Sequence, residues 1–126
     1  KKLGIKETDF RVVFGRTKID FDPDKEDDNR KKHGYSLESA ADLLQRWIFP
    51  THSTPFITRG PIERNAEIRH EHLGVDDNGN VVFIVTTMRA DEVVRVISFR
   101  RANKREREQF ESLTGYRRQN TVDGTR

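Results

Sequence analysis

Hydrophobic and polar positions along this chain fall into stretches of clearly different kinds. The apolar-rich pieces "FRVVF" and "KIDF" flank Gly15-Arg16, which predicts a short hairpin or two linked strands. Next comes "DFDPDKEDDNRKKHG", Asp20 to Gly34, in which Pro23 is the only carbon-rich side chain between Phe21 and Tyr35. Its ends still carry helix signals. Asp22 can cap the N-terminus, Pro23 fits the first helical position, and Gly34 suits a left-handed terminating turn. The spacing predicts a helix over Pro23 to His33 with no apolar stripe to bury. From Ser36, a good cap, the pattern becomes amphipathic. Leu37, Ala40, Ala41, Leu44 and Ile48 fall at i, i+3, i+4, i+7 and i+11, and Leu43 and Trp47 widen the stripe into that of a core helix.

Residues 49 to 65 hold three of the four prolines with little periodicity and are expected to form a loop. "AEIRHEHLGV" then leads into Asp76-Asp77-Asn78-Gly79-Asn80, whose Asn-Gly pair signals a hairpin. "VVFIVTTM" returns, turns at "RADE", and "VVRVISF" returns again. Apolar residues without clean alternation mark Val81 to Thr87 as a central strand. A last helix is expected from Asn103, with Glu106 three residues on as in a capping box, anchored by Phe110 and Leu113. The tail 117–126 is polar and expected to be flexible. One domain over 1–116 follows, with 1–18 as an N-terminal extension contributing one strand. The order of elements predicts an α+β fold, a small mainly antiparallel sheet with two N-terminal helices and a C-terminal helix beside it.

Composition narrows this picture. Of 126 residues 33% are hydrophobic and 36% charged, so the core is small and the surface densely charged, yet eight Phe and one Trp suffice for a compact fold. The net charge of +3 does not by itself indicate nucleic acid; the distribution of charge must do that. There is no Cys, which excludes disulfides and thiolate metal sites and fits a reducing compartment. No run reaches membrane-spanning length and no signal-peptide core is seen, so a cytoplasmic domain is expected.

Three constellations could carry chemistry. On the opening helix Lys25, Asp28, Asn29, Lys32 and His33 share a face. Acid-before-base pairs at i, i+4 (Glu26–Arg30, Asp27–Lys31, Asp28–Lys32) could make this simply a solvated helix. Lys25, Asn29, Lys32 and His33 could instead form a polar wall for an anion. In "SFRRANKRERE", Arg100, Arg101 and Arg105 stand among five basic residues where a strand gives way to a helix, whose free N–H groups and dipole also favour a phosphate. The bland alternative is an exposed basic helix neutralised by Glu106, Glu108 and Glu111. In "EIRHEH", Glu67, Arg69 and Glu71 project to one side of a strand, Ile68, His70 and His72 to the other. A Glu beside an Arg can serve as general base and charge stabiliser. His-x-His could alternatively bind a metal with His52 or a Glu, although such pairs are commonly just strand residues.

Together these pieces resemble the BrnT-type toxins. Their signature runs Trp/Phe-Asp-x-x-Lys, then Asn, then Lys-His-Gly, as in Phe21, Asp22, Lys25, Asn29, Lys32, His33 and Gly34. "ExR" at Glu67 and Arg69, "TxR" at Thr87 and Arg89, and "ISxRRAxxxERE" from Ile97 follow in the family's order. The resemblance covers about Ile19 to Phe110. It implies a ribonuclease toxin of a type II toxin–antitoxin pair with a RelE-like fold. The resemblance further implies a BrnA-type ribbon-helix-helix antitoxin that neutralises it and a pair that represses its own operon, so that operator DNA is expected to be met only through the complex. Carried over by motif, the family's polar set falls on Lys25, Asn29, Lys32, His33, Glu67, Arg69, Arg89, Arg100, Arg101 and Glu106.

RNA carries its own nucleophile, the 2′-OH, so a ribonuclease without cofactor needs a base, cations for the phosphorane and an acid for the leaving 5′-oxygen. Glu67 or His33 is the expected base, and Arg69 and Arg100 are the expected charge stabilisers. Lys25 and Lys32 would position phosphate, with one of them a candidate acid; Asn29, Arg89, Arg101 and Arg105 would add RNA contacts. A histidine titrates near working pH, whereas a carboxylate beside an arginine needs burial to be a good base. A module that holds RNA or an antitoxin on the same surface without cutting is the competing expectation.

Overall fold

The chain runs β1 (Ile19–Phe21), α1 (Pro23–His33), α2 (Leu37–Ile48), β2 (Phe56–Arg64), β3 (Glu67–Val75), β4 (Val81–Met88), β5 (Val94–Arg101) and α3 (Lys104–Thr114). These elements come from a computed structural model that describes residues 19–48, 54–88 and 93–118. The strands form one five-stranded sheet in the order β1-β5-β4-β3-β2. Neighbours from β2 to β5 are antiparallel, and β1 lies parallel to β5 with Ile19 to Phe21 opposite Val94 to Val96. The expected α+β class and the central place of Val81 to Thr87 both hold.

Helices cover the sheet from two sides. The apolar stripe of α2 packs on one face, where Leu37, Leu44 and Trp47, all fully buried, meet Val82, Ile84, Val94, Val96 and Phe99. On the opposite face Phe110 of α3 packs on Leu73, Val75, Val81 and Phe83. Gly74 lets the Trp47 ring lie against β3, since a Cβ there would stand 2.5 Å from the ring. Trp47 also donates its indole N–H to the Val75 carbonyl at 3.0 Å.

α1 is docked by polar groups rather than apolar burial. Asn29 is its one buried residue. The Asn29 amide donates to the carbonyls of Phe99 (2.8 Å) and Tyr35 (2.9 Å), while its oxygen accepts from the Phe99 N–H (3.1 Å). The strand pairing of β1 ends at Phe21, where Asp22 N–H still reaches the Val96 carbonyl. Beyond that point the edge of β5 would present unpaired peptide groups, which cost free energy when buried. The side chain of Asn29 therefore stands in for the next residue of a strand. Glu26 makes a second attachment: its carboxylate accepts from the Leu37 N–H (2.6 Å) and the Ser36 hydroxyl (3.0 Å), capping α2. Of the expected i, i+4 pairs, Glu26–Arg30 forms at 3.4 Å.

Two expectations need correction. The stretch predicted as loop contains β2, an edge strand whose register shifts between Arg59 and Ile62, which admits Gly60-Pro61 where no partner needs the missing N–H. Its hairpin to β3 turns on Asn65 and Ala66, both at positive φ (50° and 64°). An Ala where Gly is usual hides such a turn from sequence inspection. Leu113, expected as an anchor, is 65% exposed. Tyr116 takes that place, its ring against Phe110 and its hydroxyl donating to the Gly79 carbonyl at 2.7 Å. Ile19–Phe21 of "KIDF" form β1, the parallel partner of β5. "FRVVF" and the tail from 119 onward lie outside the described residues.

Candidate active site

Alternation along β3 divides its side chains as predicted, Glu67, Arg69 and Glu71 lying on the α3 side with Leu73 and Val75. Direct partners in antiparallel strands share a face. One row across the sheet is therefore Ile62, Arg69, Thr87 and Arg95, and the next is Arg59, Glu71, Val85 and Ser98. Arg100 projects from the same face opposite Phe83, its guanidinium 4.3 Å from the ring centre. α3 covers the Leu73–Phe83 half of the face. Over the Arg69–Thr87 half no helix lies among the described residues.

Three arginines and three glutamates lie on this face, beside and beyond the part that α3 covers. Arg100 makes a bidentate pair with Glu106, 2.8 Å for each N···O contact. That pairing holds the Glu106 carboxyl below the usual carboxylate range and raises Arg100, burial opposing both shifts. Arg69 approaches Glu67 at 3.4 Å and Arg59 approaches Glu71 at 3.7 Å, while Arg59 also donates to Gln109 of α3 at 3.0 Å. Charge-assisted N–H···O bonds close to roughly 2.7–2.9 Å. Arg100 is thus locked, whereas Arg59 and Arg69 hold their carboxylates loosely. The Nε atoms of Arg59 and Arg69 and the hydroxyl of Thr87 are buried with no hydrogen-bond partner among the described residues.

The structure brings together Glu67, Arg69 and Arg100 of the expected residues, on one face. Lys25, Lys32 and His33 are exposed on α1, and among the described residues no hydrogen bond or ion pair joins them to that cluster. The carboxamide of Asn29 is engaged by backbone. Arg101 turns to the β3–β4 turn and donates to Asn80 at 3.2 Å, and Arg105 is exposed on α3. Arg89 and His52 lie outside the described residues. At the start of α3, expected to offer free N–H groups to a phosphate, a capping box engages the N–H groups of Asn103 and Glu106. On the other face the ring nitrogens of His72 meet Thr58 at 3.0 Å and Thr86 at 2.9 Å. Burial, with His70 nearby, lowers its pKa to about 3, so this histidine is a neutral core residue already engaged at both nitrogens.

Sequence reasoning missed Arg59 and Gln109 and used Thr87 only as a motif letter. Arg59 was hidden inside the presumed loop; once β2 is recognised, the alternation Ile57, Arg59 opposite Leu73, Glu71 exposes it.

The fold and this face define a RelE-like α+β domain with an arginine–glutamate cluster on one face of its sheet. Residues 21–106 match the family described as "Ribonuclease toxin, BrnT, of type II toxin-antitoxin system", and the chain belongs to that family. A comparison with curated proteins finds no match. Among the described residues no helix is long and apolar enough to cross a membrane.

Proposed function

We propose that the chain is an endoribonuclease toxin that cleaves RNA by attack of the 2′-OH without a metal ion. A BrnA-type ribbon-helix-helix antitoxin neutralises it, and the pair represses its own operon. The Glu67–Arg69 pair on the α3 side of the sheet carries this proposal. Glu67 takes the proton of the 2′-OH, and Arg69, two residues along the same strand face, stabilises charge on the phosphorane. Arg100 contributes from a fixed position, its charge largely offset by Glu106, and so orders the margin of the site under α3. Lys25, Lys32 and His33 form a basic wall on α1 for the flanking RNA backbone; His33 is the alternative base. Family membership and the 3.4 Å pair support this assignment.

Purified protein incubated with RNA in excess chelator is expected to leave 2′,3′-cyclic phosphate or 3′-phosphate ends and 5′-hydroxyls. Glu67→Gln is expected to slow cleavage by roughly 10²–10⁴-fold with the fold intact. A requirement for Mg²⁺ with 5′-phosphate products would overturn the mechanism. Intact RNA alongside retained antitoxin binding would replace it with a binding module.

A further inference from the structure

We infer that Arg59, Arg69 and Thr87 together form the cradle for the scissile phosphate, which deepens the ribonuclease function proposed above. Thr87 is 1% exposed, yet its hydroxyl has no partner among the described residues. It lies beside Arg69 in register, on the same face of the neighbouring strand, and the Nε of Arg69 is also buried and unpartnered. The Nε of Arg59, one row along, is in the same condition. A buried donor left unpaired is costly, and three beside one another on one sheet face are unusual. Each arginine Nε–H can only donate, and the Thr87 hydroxyl, which could accept from one, makes no such bond among the described residues. A tetrahedral oxyanion offers acceptors in several directions and satisfies all three at once.

The loose ion pairs point the same way. At 3.4 and 3.7 Å, Glu67 and Glu71 give Arg69 and Arg59 little of a charge-assisted bond, so exchanging them for a phosphate oxygen forfeits little. Arg100 differs, because both of its terminal nitrogens are engaged by Glu106. When phosphate draws Arg69 away, the 3.4 Å pair between Arg69 and Glu67 opens next to the site where the 2′-OH would arrive.

The test is binding of a 2′-O-methyl RNA oligonucleotide, which cannot be cleaved, to wild type, Thr87→Val and Arg59→Gln, alongside cleavage of unmodified RNA. Thr87→Val removes only a hydroxyl that the folded protein leaves unpaired. Its thermal stability should equal or exceed wild type while RNA affinity falls about tenfold, the effect of one hydrogen bond to a charged group. Arg59→Gln should weaken binding at least as much and reduce the salt dependence by about one phosphate contact, which Thr87→Val should not. If wild type binds and cuts RNA and both variants match it, the cradle is wrong and the ribonuclease function stands. If wild type ignores RNA, yet inorganic phosphate shifts the Nε–H resonances of Arg59 and Arg69 in wild type and not in Thr87→Val, the anion cradle stands and the ribonuclease function fails. Variants that lose only antitoxin affinity would assign these residues to that interface and overturn the inference.

Discussion

Replacing Asn29 by alanine removes three hydrogen bonds of 2.8, 2.9 and 3.1 Å from a helix that buries no other residue. The N–H and carbonyl of Phe99, a residue 4% exposed, and the Tyr35 carbonyl lose their partners. Each such bond contributes a net ~0.5–1.5 kcal/mol, and a donor or acceptor left buried costs ~1–3 kcal/mol. Partial access of water after α1 loosens limits the total, so about 2–4 kcal/mol is expected from a native stability of roughly 5–15 kcal/mol. Urea unfolding followed by circular dichroism reads this as a lower midpoint, and hydrogen exchange reads it locally as loss of protection at the Phe99 amide. Asn29→Asp refines the test. It keeps an acceptor for the Phe99 N–H but sets a carboxylate against two carbonyl oxygens, so at neutral pH it should be no more stable than Asn29→Ala. Acidification should restore part of the loss as the protonated acid regains a donor. Asn29→Ala within about 0.5 kcal/mol of wild type, the threshold for an inconsequential surface change, with Phe99 protection intact would refute the edge-clamp role.

Gly74→Ala should destabilise by about 1–3 kcal/mol, because its Cβ would fall 2.5 Å from a fully buried ring that cannot retreat. Trp47 is the single tryptophan, so near-ultraviolet circular dichroism should change with it; an unaltered spectrum and stability would contradict the packing described. Acid should weaken the fold through His72, whose pKa is depressed to about 3 from an ordinary 6.5. The unfolded chain then binds the extra proton between those values. The stabilisation is complete above pH ~6.5 and is lost at ~1.4 kcal/mol per unit as pH falls toward ~3. His72→Gln should flatten the slope between pH ~5 and ~6.5, a range in which Glu106, held ionised by Arg100, does not titrate. An unchanged slope in that variant would place the acid sensitivity elsewhere.

Where local chemistry decides an element, the residues announce it. Asp22, Pro23 and Gly34 bracket α1 at the bounds observed, because caps act within one turn. The stripe from Leu37 to Ile48 specifies α2, and the Glu67–Arg69–Glu71 alternation survives folding because strand geometry has period two. β2 escaped notice for the opposite reason. Its Gly60-Pro61 and its Asn65-Ala66 turn are local breakers tolerated only because the strand lies at an edge and pairs with β3. Leu113 lost its expected part to Tyr116 because periodicity names a helix face without saying how far the neighbouring sheet extends.

The sequence by itself determined the three helices, the amphipathic stripe of the core helix, the central strand, the family signature and the sidedness of β3. Only the tertiary structure decided what the polar residues do. Asn29 and Arg100 both look like site residues in one dimension, yet Asn29 completes the edge of β5 and Arg100 is held by Glu106. Arg59 and Thr87, inconspicuous in the chain, stand beside Arg69 through a register that joins residues far apart in sequence. Caps and periodicity are local interactions and can be read from neighbours along the chain. Whether a polar group is satisfied depends on partners that folding alone brings within hydrogen-bond reach.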